Sequence, residues 1–130
     1  MIFNNIDKEN KEFFKGKKVV VRVGVNVPIS EGKIEDDFRL KSILETVEFL
    51  AKSGARVVLI GHIGRKDTEN LDLVFDWLEK KLKRKRIEIF YDKKTFFKME
   101  EKILSDKSIG KIGGLENGQI LLLDNVRATK

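Results

Sequence analysis

The segment from Lys17 to Pro28 constrains the fold of this chain more than any other stretch. It is an apolar run rich in valine that changes abruptly to glycine, asparagine and proline. Such a continuous run is typical of a strand covered on both faces, as in a parallel sheet. The same order, an apolar run followed by polar or basic residues, recurs at 55–65 and 119–127. The sequence therefore predicts three buried strands that deliver turns to one edge of a sheet.

A helical pattern separates the first two strands. The first strand is predicted from about Lys18 to Val25, and a turn-rich segment follows it at 26–35. Asp36 or Asp37 then offers an N-cap, because a carboxylate accepts hydrogen bonds from free helix amides and complements the helix dipole. Gly54 suits the left-handed position that ends a helix. Between these signals lies one apolar stripe at helical spacing, formed by Leu40, Ile43, Leu44, Val47, Leu50 and Ala51.

The rest of the chain continues the alternation of strand and helix. The second strand, Arg56–Ile60, is followed by a helix whose apolar stripe consists of Leu71, Val74, Phe75, Leu78 and Leu82. A strand at Ile87–Tyr91, a helix at Thr95–Leu104, a glycine-containing connection at 105–118 and a final strand at Gln119–Leu123 complete the pattern. This alternation predicts a single α/β domain over residues 1–130, a three-layer αβα, Rossmann-like arrangement around a mostly parallel sheet.

Composition limits the cellular compartment and the kinds of partner expected for this chain. The chain of 130 residues has no cysteine, so disulfides and thiolate metal sites are excluded. No apolar stretch approaches the about 20 residues that cross a bilayer, and residues 1–15 lack the layout of a signal peptide. We therefore expect a cytoplasmic protein with no membrane partner. The net charge of +6 favours anionic partners but does not choose between a phosphorylated metabolite and nucleic acid.

The residues that leave the strand ends predict a binding site. In open α/β sheets, ligands bind outside the carboxyl ends of the strands. Guanidinium groups present paired donors that match phosphate and carboxylate oxygens. The pattern indicates an anion site for a small ligand carrying phosphate or carboxylate, and we predict no metal site. The residues expected at this edge are Gly24, Asn26, Arg39, His62, Gly64, Arg65 and Arg127.

Each of these residues also has a purely structural interpretation. His62 could make a single backbone hydrogen bond in a loop, and Gly64 could serve only a tight turn. Arg39 and Arg65 could be surface arginines paired with neighbouring acids, and Arg127 lies close to the end of the chain. Arg22, inside an apolar strand, is expected to be structural, with its charge paired beneath the site.

Five motifs in order resemble one protein family. They lie at 21–28, 32–39, 53–55, 61–65 and 121–127, and they include Gly61-His62-Ile63-Gly64-Arg65 and Leu123-Asp124-Asn125-Val126-Arg127. Together they resemble the N-terminal domain of phosphoglycerate kinase. The resemblance implies one half of a two-domain enzyme that transfers a phosphoryl group between 1,3-bisphosphoglycerate and ADP. In that family this half holds 3-phosphoglycerate, and the other half holds magnesium–nucleotide.

The resemblance also implies roles for the residues at the edge. Asn26, His62, Arg65 and Arg127 would bind the glycerate ligand, with Gly24 and Gly64 lining the site. Arg39 would bind the carboxyl end and act catalytically by stabilising charge on the transferring phosphoryl group. No cofactor is expected in this chain. Mg-ATP or Mg-ADP is expected only on a C-terminal nucleotide-binding domain, which would be the protein partner.

Two departures from the family pattern bear on activity. Gly24 stands where the family has an aspartate expected to accept a hydrogen bond from the substrate hydroxyl, and Lys66 replaces a proline. The chain also stops before the family's first domain is complete and holds no nucleotide-binding loop. We expect a truncated domain that is inactive by itself.

Two other interpretations remain open at this point. The first is a non-catalytic anion-binding or interaction protein on the same fold, for which Gly24 is the best support. The second is nucleic-acid binding through the basic block Lys80–Arg86. That block lacks interleaved aromatic residues and any known reader motif, which disfavours nucleic acid as a partner.

Overall fold

A computed structural model of the chain describes residues 11–22, 29–30, 33–34, 37–61, 71–93 and 106–124. The elements, in chain order, are α1 (Lys11–Phe14), β1 (Lys18–Arg22), β2 (Ile29–Ser30), β3 (Lys33–Ile34), α2 (Phe38–Lys52), β4 (Arg56–Ile60), α3 (Asp72–Lys83), β5 (Ile89–Asp92), α4 (Asp106–Gly113) and β6 (Ile120–Leu123). None of the helices in this described part has the length and apolar character that crossing a membrane requires.

Four of the strands form one sheet in the order β1-β4-β6-β5. Every neighbouring pair in it is parallel, with Val20 opposite Val58, Val58 opposite Leu121 and Phe90 also opposite Leu121. The short strands β2 and β3 pair antiparallel with each other, inside the segment that was predicted to be rich in turns. The described sheet therefore confirms the predicted parallel α/β architecture.

Helices cover both faces of this sheet. On one face, Val47 and Leu50 of α2 and Leu78 and Leu82 of α3 pack in the core cluster that contains the strand residues Val19, Val21, Val57, Leu59, Ile89, Ile120 and Leu122. On the other face, Ile112 of α4 and Leu115 just beyond it pack against Val58, Leu121 and Leu123. Because helices lie on both faces, the arrangement has the three predicted layers.

The first strand differs from the prediction that both its faces are covered. Val19 and Val21 are buried, but Val20 between them is 55% exposed. The reason is position, since β1 is an outer strand of the described sheet and the cluster under α4 reaches only β4 and β6. By contrast β6, which lies between β4 and β5, is buried at all of its positions. An apolar run alone does not tell an outer strand from a central one.

The segment 105–118 also differs from the prediction, because it contains helix α4 rather than only a connection. Gly110 and Gly113 favour a loop by propensity, since glycine is a poor helix former. Tertiary contacts outweigh that preference: Ser108 Oγ donates to the Asp92 carboxylate of β5, and Ile112 packs on the sheet. The helix predicted at 95–104 lies outside the described residues.

Helix α2 ends as its sequence predicts, but it does not begin with the predicted side-chain cap. Asp37 occupies the N-cap position and makes no side-chain cap hydrogen bond. At the other end Gly54 has φ of 85°, and its N–H donates to the Ala51 carbonyl at 3.0 Å. The Ala55 N–H donates to the Leu50 carbonyl at 3.1 Å, which completes a Schellman motif.

Candidate functional site

The carboxyl ends of the strands form one edge of the described sheet, which we call the carboxyl edge. In the register, Arg22 at the end of β1 lies opposite Ile60 at the end of β4. Leu123 at the end of β6 lies opposite Asp92 at the end of β5. The chain segments that follow these strands therefore start side by side, as expected for a ligand site in an open parallel sheet.

Most of the predicted ligand residues follow these strand ends and lie outside the described part of the chain. They are Gly24, Asn26, His62, Gly64, Arg65 and Arg127. Their roles stay predictions. What the described residues establish is that β1, β4 and β6, after which these residues come, end at the same edge.

Arg39 is the predicted site residue that the structure describes. It is the second residue of α2, and its side chain is exposed. Three residues separate the end of α2 from the start of β4, so the C-terminus of α2 lies at the amino edge of the sheet. Its 15 residues extend about 22 Å, which returns its first turn to the carboxyl edge. Arg39 is therefore at the predicted edge, while its catalytic role stays a prediction.

Helix α3 supports the start of α2 next to Arg39. Trp77 Nε1 of α3 donates a hydrogen bond to Asp37 Oδ2 at 3.2 Å. The other oxygen of Asp37 pairs with Lys41 Nζ at 3.5 Å. Thus the carboxylate that was predicted to cap α2 instead joins the two helices. The sequence showed no sign of this contact, because Trp77 and Asp37 are 40 positions apart.

Arg22, the last residue of β1, does not have the predicted environment. Its side chain is exposed at the end of β1, and it has no ion-pair partner among the residues that the structure describes. The odd positions of β1 face the covered side of the sheet, whereas Arg22 shares the exposed side with Val20. Strand alternation explains the difference.

A polar network that the sequence analysis missed lies at the carboxyl edge. Asp124 follows β6 directly and is only 4% exposed. Its Oδ1 accepts hydrogen bonds from the Leu71 N–H at 3.0 Å and from the Tyr91 hydroxyl at 2.9 Å. The Tyr91 hydroxyl also lies 2.8 Å from Asp72 Oδ1, and Lys93 Nζ lies 2.8 Å from Asp72 Oδ2. The signal in the sequence that could have indicated this network is Asp124, a polar residue directly after a buried strand.

The protonation of this network follows from its geometry. Burial, followed by hydrogen bonds to Asp72 and Asp124, raises the pKa of Tyr91 far above its ordinary value. The phenol therefore stays neutral and acts as a donor. The hydrogen bond from Lys93 to Asp72, reinforced by their Coulombic attraction, raises the pKa of Lys93 as well. Among the residues that the structure describes, the network thus combines two carboxylates, one ammonium group and one hydroxyl proton.

A second buried carboxylate joins β5 to α4. Asp92 is 3% exposed and accepts hydrogen bonds from Ser108 Oγ at 2.5 Å and from Lys111 Nζ at 2.7 Å. Neither donor adjoins a predicted ligand residue in the sequence, so this contact serves to fix α4 on the sheet. Across the described residues, no group of three or more metal-ligating side chains comes together.

The basic block lies at the opposite, amino edge of the sheet. A cavity of about 540 Å³ there is lined by Lys80, Lys83 and Arg86 together with two acids, Glu79 and Glu88. Other members of the block are engaged locally. Lys85 Nζ pairs with Glu48 Oε1 at 3.3 Å, and Lys81 Nζ lies 5.5 Å from the centre of the Trp77 ring. The neighbouring acids partly neutralise the positive charge of the basic block, which does not favour a nucleic-acid surface.

A comparison with known families identifies the group of proteins to which this architecture belongs. The family model for phosphoglycerate kinase matches residues 9–130. The chain belongs to the phosphoglycerate kinase family. The resemblance carried by the five motifs is thereby confirmed.

Comparison with individual phosphoglycerate kinases shows what fraction of their length this chain covers. The chain is 37% identical to phosphoglycerate kinase from Borrelia duttonii over 117 residues, which are 90% of this chain and 28% of that protein. It is 32% identical to the Clostridium beijerinckii protein over 130 residues, which are 100% of this chain and 31% of that protein. The chain therefore spans less than a third of the length of these relatives.

Solved structures of phosphoglycerate kinases agree with the described fold. The structure from Pyrococcus horikoshii superposes with a TM-score of 0.70 and 30% identity, covering 88% of this chain and 26% of that chain. The Coxiella burnetii structure gives a TM-score of 0.64 at 28% identity, covering 90% of this chain and 27% of that chain.

Proposed function

We propose that this chain forms the 3-phosphoglycerate-binding part of a phosphoglycerate kinase, an enzyme that transfers a phosphoryl group between 1,3-bisphosphoglycerate and ADP. The observation that supports this most directly is the all-parallel order of the described sheet. It makes β1, β4 and β6 end side by side, so the segments that carry the predicted ligand residues start from one edge. Membership of the family supports the same assignment.

The proposed site binds its ligand through cations and amides. Arg65, Arg127, His62 and Asn26 hold the phosphate and glycerate oxygens. Arg39, in the first turn of α2, contacts the carboxyl end, where charge develops during phosphoryl transfer. Such transfer depends on positioning and cationic stabilisation more than on covalent chemistry. An arginine at that point therefore suits the stabilisation of the developing charge.

The nucleotide half of the reaction is assigned to another domain. Magnesium–ATP or magnesium–ADP would bind a C-terminal nucleotide-binding domain, the proposed partner. This chain by itself would bind the acid substrate without turning it over.

Calorimetric titration of the chain with 3-phosphoglycerate tests the proposal. We expect saturable binding, and we expect Arg39→Ala to weaken it by about ten-fold or more, since a hydrogen bond to a charged group contributes about 1.5–3 kcal/mol. Arg84→Ala is the matched control, because Arg84 is an exposed arginine at the end of α3, at the amino edge. It removes the same charge and should change the affinity by less than about two-fold. An absence of wild-type binding at millimolar ligand would refute the assignment.

A second candidate is a non-catalytic anion-binding protein on the same fold. Gly24, which replaces the family's substrate-binding aspartate, favours it, because the pocket then lacks one acceptor for a substrate hydroxyl. This candidate predicts that 3-phosphoglycerate and sulfate compete with similar affinities. The kinase assignment predicts that 3-phosphoglycerate binds more tightly than sulfate.

A further inference from the structure

Three distant parts of the chain meet at one buried point on the carboxyl edge. The Leu71 N–H lies 3.0 Å from Asp124 Oδ1 and 3.2 Å from the Tyr91 hydroxyl oxygen, so it is shared between two acceptors. The Tyr91 hydroxyl lies 2.9 Å from the same Asp124 oxygen and closes the triangle. Leu71 is fully buried and Asp124 nearly so. We name these three groups the Leu71 clamp.

Two of the clamp residues directly adjoin the segments that carry predicted ligand residues. Leu71 directly follows 62–70, the segment that carries His62, Gly64 and Arg65. Asp124 directly precedes 125–130, the segment that carries Arg127. A hydrogen bond between Leu71 and Asp124 therefore fixes the attachment point of one segment relative to that of the other.

The surroundings of the clamp hold it in one arrangement. The Tyr91 ring stacks on Phe75 with their centres 5.0 Å apart, which fixes the hydroxyl. That hydroxyl has one proton and two carboxylate oxygens in reach, Asp72 Oδ1 and Asp124 Oδ1. Lys93 balances the charge of Asp72 from the solvent side. Removing a donor from a buried carboxylate is costly, so each member depends on the others.

We propose that Tyr91 and Asp124 are positioning residues for anion binding, and that the Leu71 clamp sets the spacing between the segment of His62 and Arg65 and the segment of Arg127. This inference rests on the proposed function. Arginine and phosphate form paired hydrogen bonds only within a narrow range of distance and angle, so ligands on two separate segments need a common anchor. Groups that orient ligand-binding residues in this way often change affinity without touching the ligand.

The contact between Asp92 and Ser108 provides a matched control. Asp92 is also a buried carboxylate at the end of a strand, and Ser108 also donates a hydroxyl to it. Ser108 lies in α4, and neither residue adjoins a segment that carries predicted ligands. Tyr91→Phe and Ser108→Ala each remove one hydroxyl from a buried aspartate, but only Tyr91→Phe alters the clamp.

The composition of the chain makes the test direct, because it holds one histidine, one tryptophan and one tyrosine. Imidazole resonances in NMR spectra therefore report His62 alone, and Trp77 fluorescence reports folding. We expect Tyr91→Phe to shift the imidazole and Leu71 amide resonances and to weaken 3-phosphoglycerate binding by about ten-fold. Ser108→Ala should leave those resonances and the affinity unchanged, although both variants lower the thermal midpoint. Equal affinity losses in the two variants would overturn the clamp proposal.

Failure of the proposed function can be told apart from failure of the clamp. If the wild-type chain does not bind 3-phosphoglycerate, the function is refuted, while the His62 resonances still test the clamp. Asp124→Asn keeps the shape of the side chain and removes its charge, so it serves if Tyr91→Phe does not fold. If neither variant shifts the His62 resonances, the clamp is refuted whether or not the ligand binds.

Discussion

Gly24 stands where the family resemblance predicts an aspartate that accepts a hydrogen bond from the substrate hydroxyl. A glycine offers no acceptor, whereas an aspartate would accept a hydrogen bond from a substrate hydroxyl and repel inorganic anions. We expect this difference to alter selectivity more than affinity for anions in general, because the sequence retains the cationic residues predicted around it.

Gly24→Asp should therefore strengthen 3-phosphoglycerate binding relative to sulfate. The restored charged hydrogen bond is worth about 1.5–3 kcal/mol, or about ten-fold in affinity. Competition calorimetry with both anions measures the ratio. Gly113→Asp is a suitable control for added charge, since a side chain at position 113 would meet no atom within 4 Å. A Gly24→Asp variant that changes both anions equally would argue against the lost-acceptor explanation.

Tyr91 predicts a dependence of stability on alkaline pH. Burial, followed by the bonds to Asp72 and Asp124, raises its pKa in the folded state above the ordinary value of 10.0. The stabilisation is therefore complete below that value and is lost as the pH rises above it, because only the unfolded chain releases the phenolic proton.

Denaturant unfolding between about pH 8 and pH 11, followed by Trp77 fluorescence, measures this loss. The free energy of unfolding of the wild type should fall more steeply above pH 10 than that of Tyr91→Phe. Lysines titrate in the same range in both proteins, so the difference between the two curves isolates Tyr91. Parallel curves would contradict the prediction.

At the scale of elements, the end of α2 shows how a local signal and tertiary packing agree. Gly54 adopts φ of 85°, a conformation that side chains rarely tolerate, and its carbonyl accepts a hydrogen bond from the Gly16 N–H at 2.9 Å. A Cβ there would also lie 3.4 Å from Cγ of Lys15. The glycine thus ends the helix and lets the turn after α1 approach it closely.

Gly54→Ala should lower the free energy of unfolding by about 1–2 kcal/mol, the cost of a left-handed backbone with a Cβ. Gly110→Ala is the matched comparison, because Gly110 lies within α4 and a Cβ there meets nothing within 4 Å. It should raise the free energy of unfolding by about 0.5–1 kcal/mol through helix propensity. Urea unfolding measures both, and changes of the same sign in both variants would refute the conformational argument.

At the scale of the whole molecule, the chain spans less than a third of the length of the relatives compared with it. The outer strands of its described sheet are β1 and β5. The proposed reaction needs a nucleotide brought to the carboxyl edge from another domain. The chain and that domain would therefore each supply one substrate, and only their combination would complete the catalytic site.

A coupled assay should accordingly detect no ATP formation from 1,3-bisphosphoglycerate and ADP with the chain alone. Addition of a separately produced nucleotide-binding domain from a related phosphoglycerate kinase should produce turnover, which Arg39→Ala should reduce by at least about ten-fold. Turnover by the chain alone would refute the proposal that the nucleotide is bound by another domain. Binding of 3-phosphoglycerate without turnover in the mixture would favour the non-catalytic candidate.

Much of the fold was predictable because its signals are local. The stripes of α2 and α3 and the run of β4 are strongly periodic or continuous, and the structure bounds them within a few residues of the prediction. Helix α4 was missed since Gly110 and Gly113 weaken its local signal, and its stability comes from Asp92 and the sheet. The exposed face of β1 was missed because a run of valines carries no information about its neighbours.

The alternation of strand and helix, the mostly parallel sheet and the family could all be inferred from the sequence, because periodicity and motif order are properties of residues that are close together in the chain. The insertion of β6, the last of the described strands, between β4 and β5 is visible only in the folded structure. That insertion brings Asp124 to Leu71 across 53 positions of sequence and beside Tyr91. Which distant residues become neighbours depends on strand order and burial, and no local pattern encodes it.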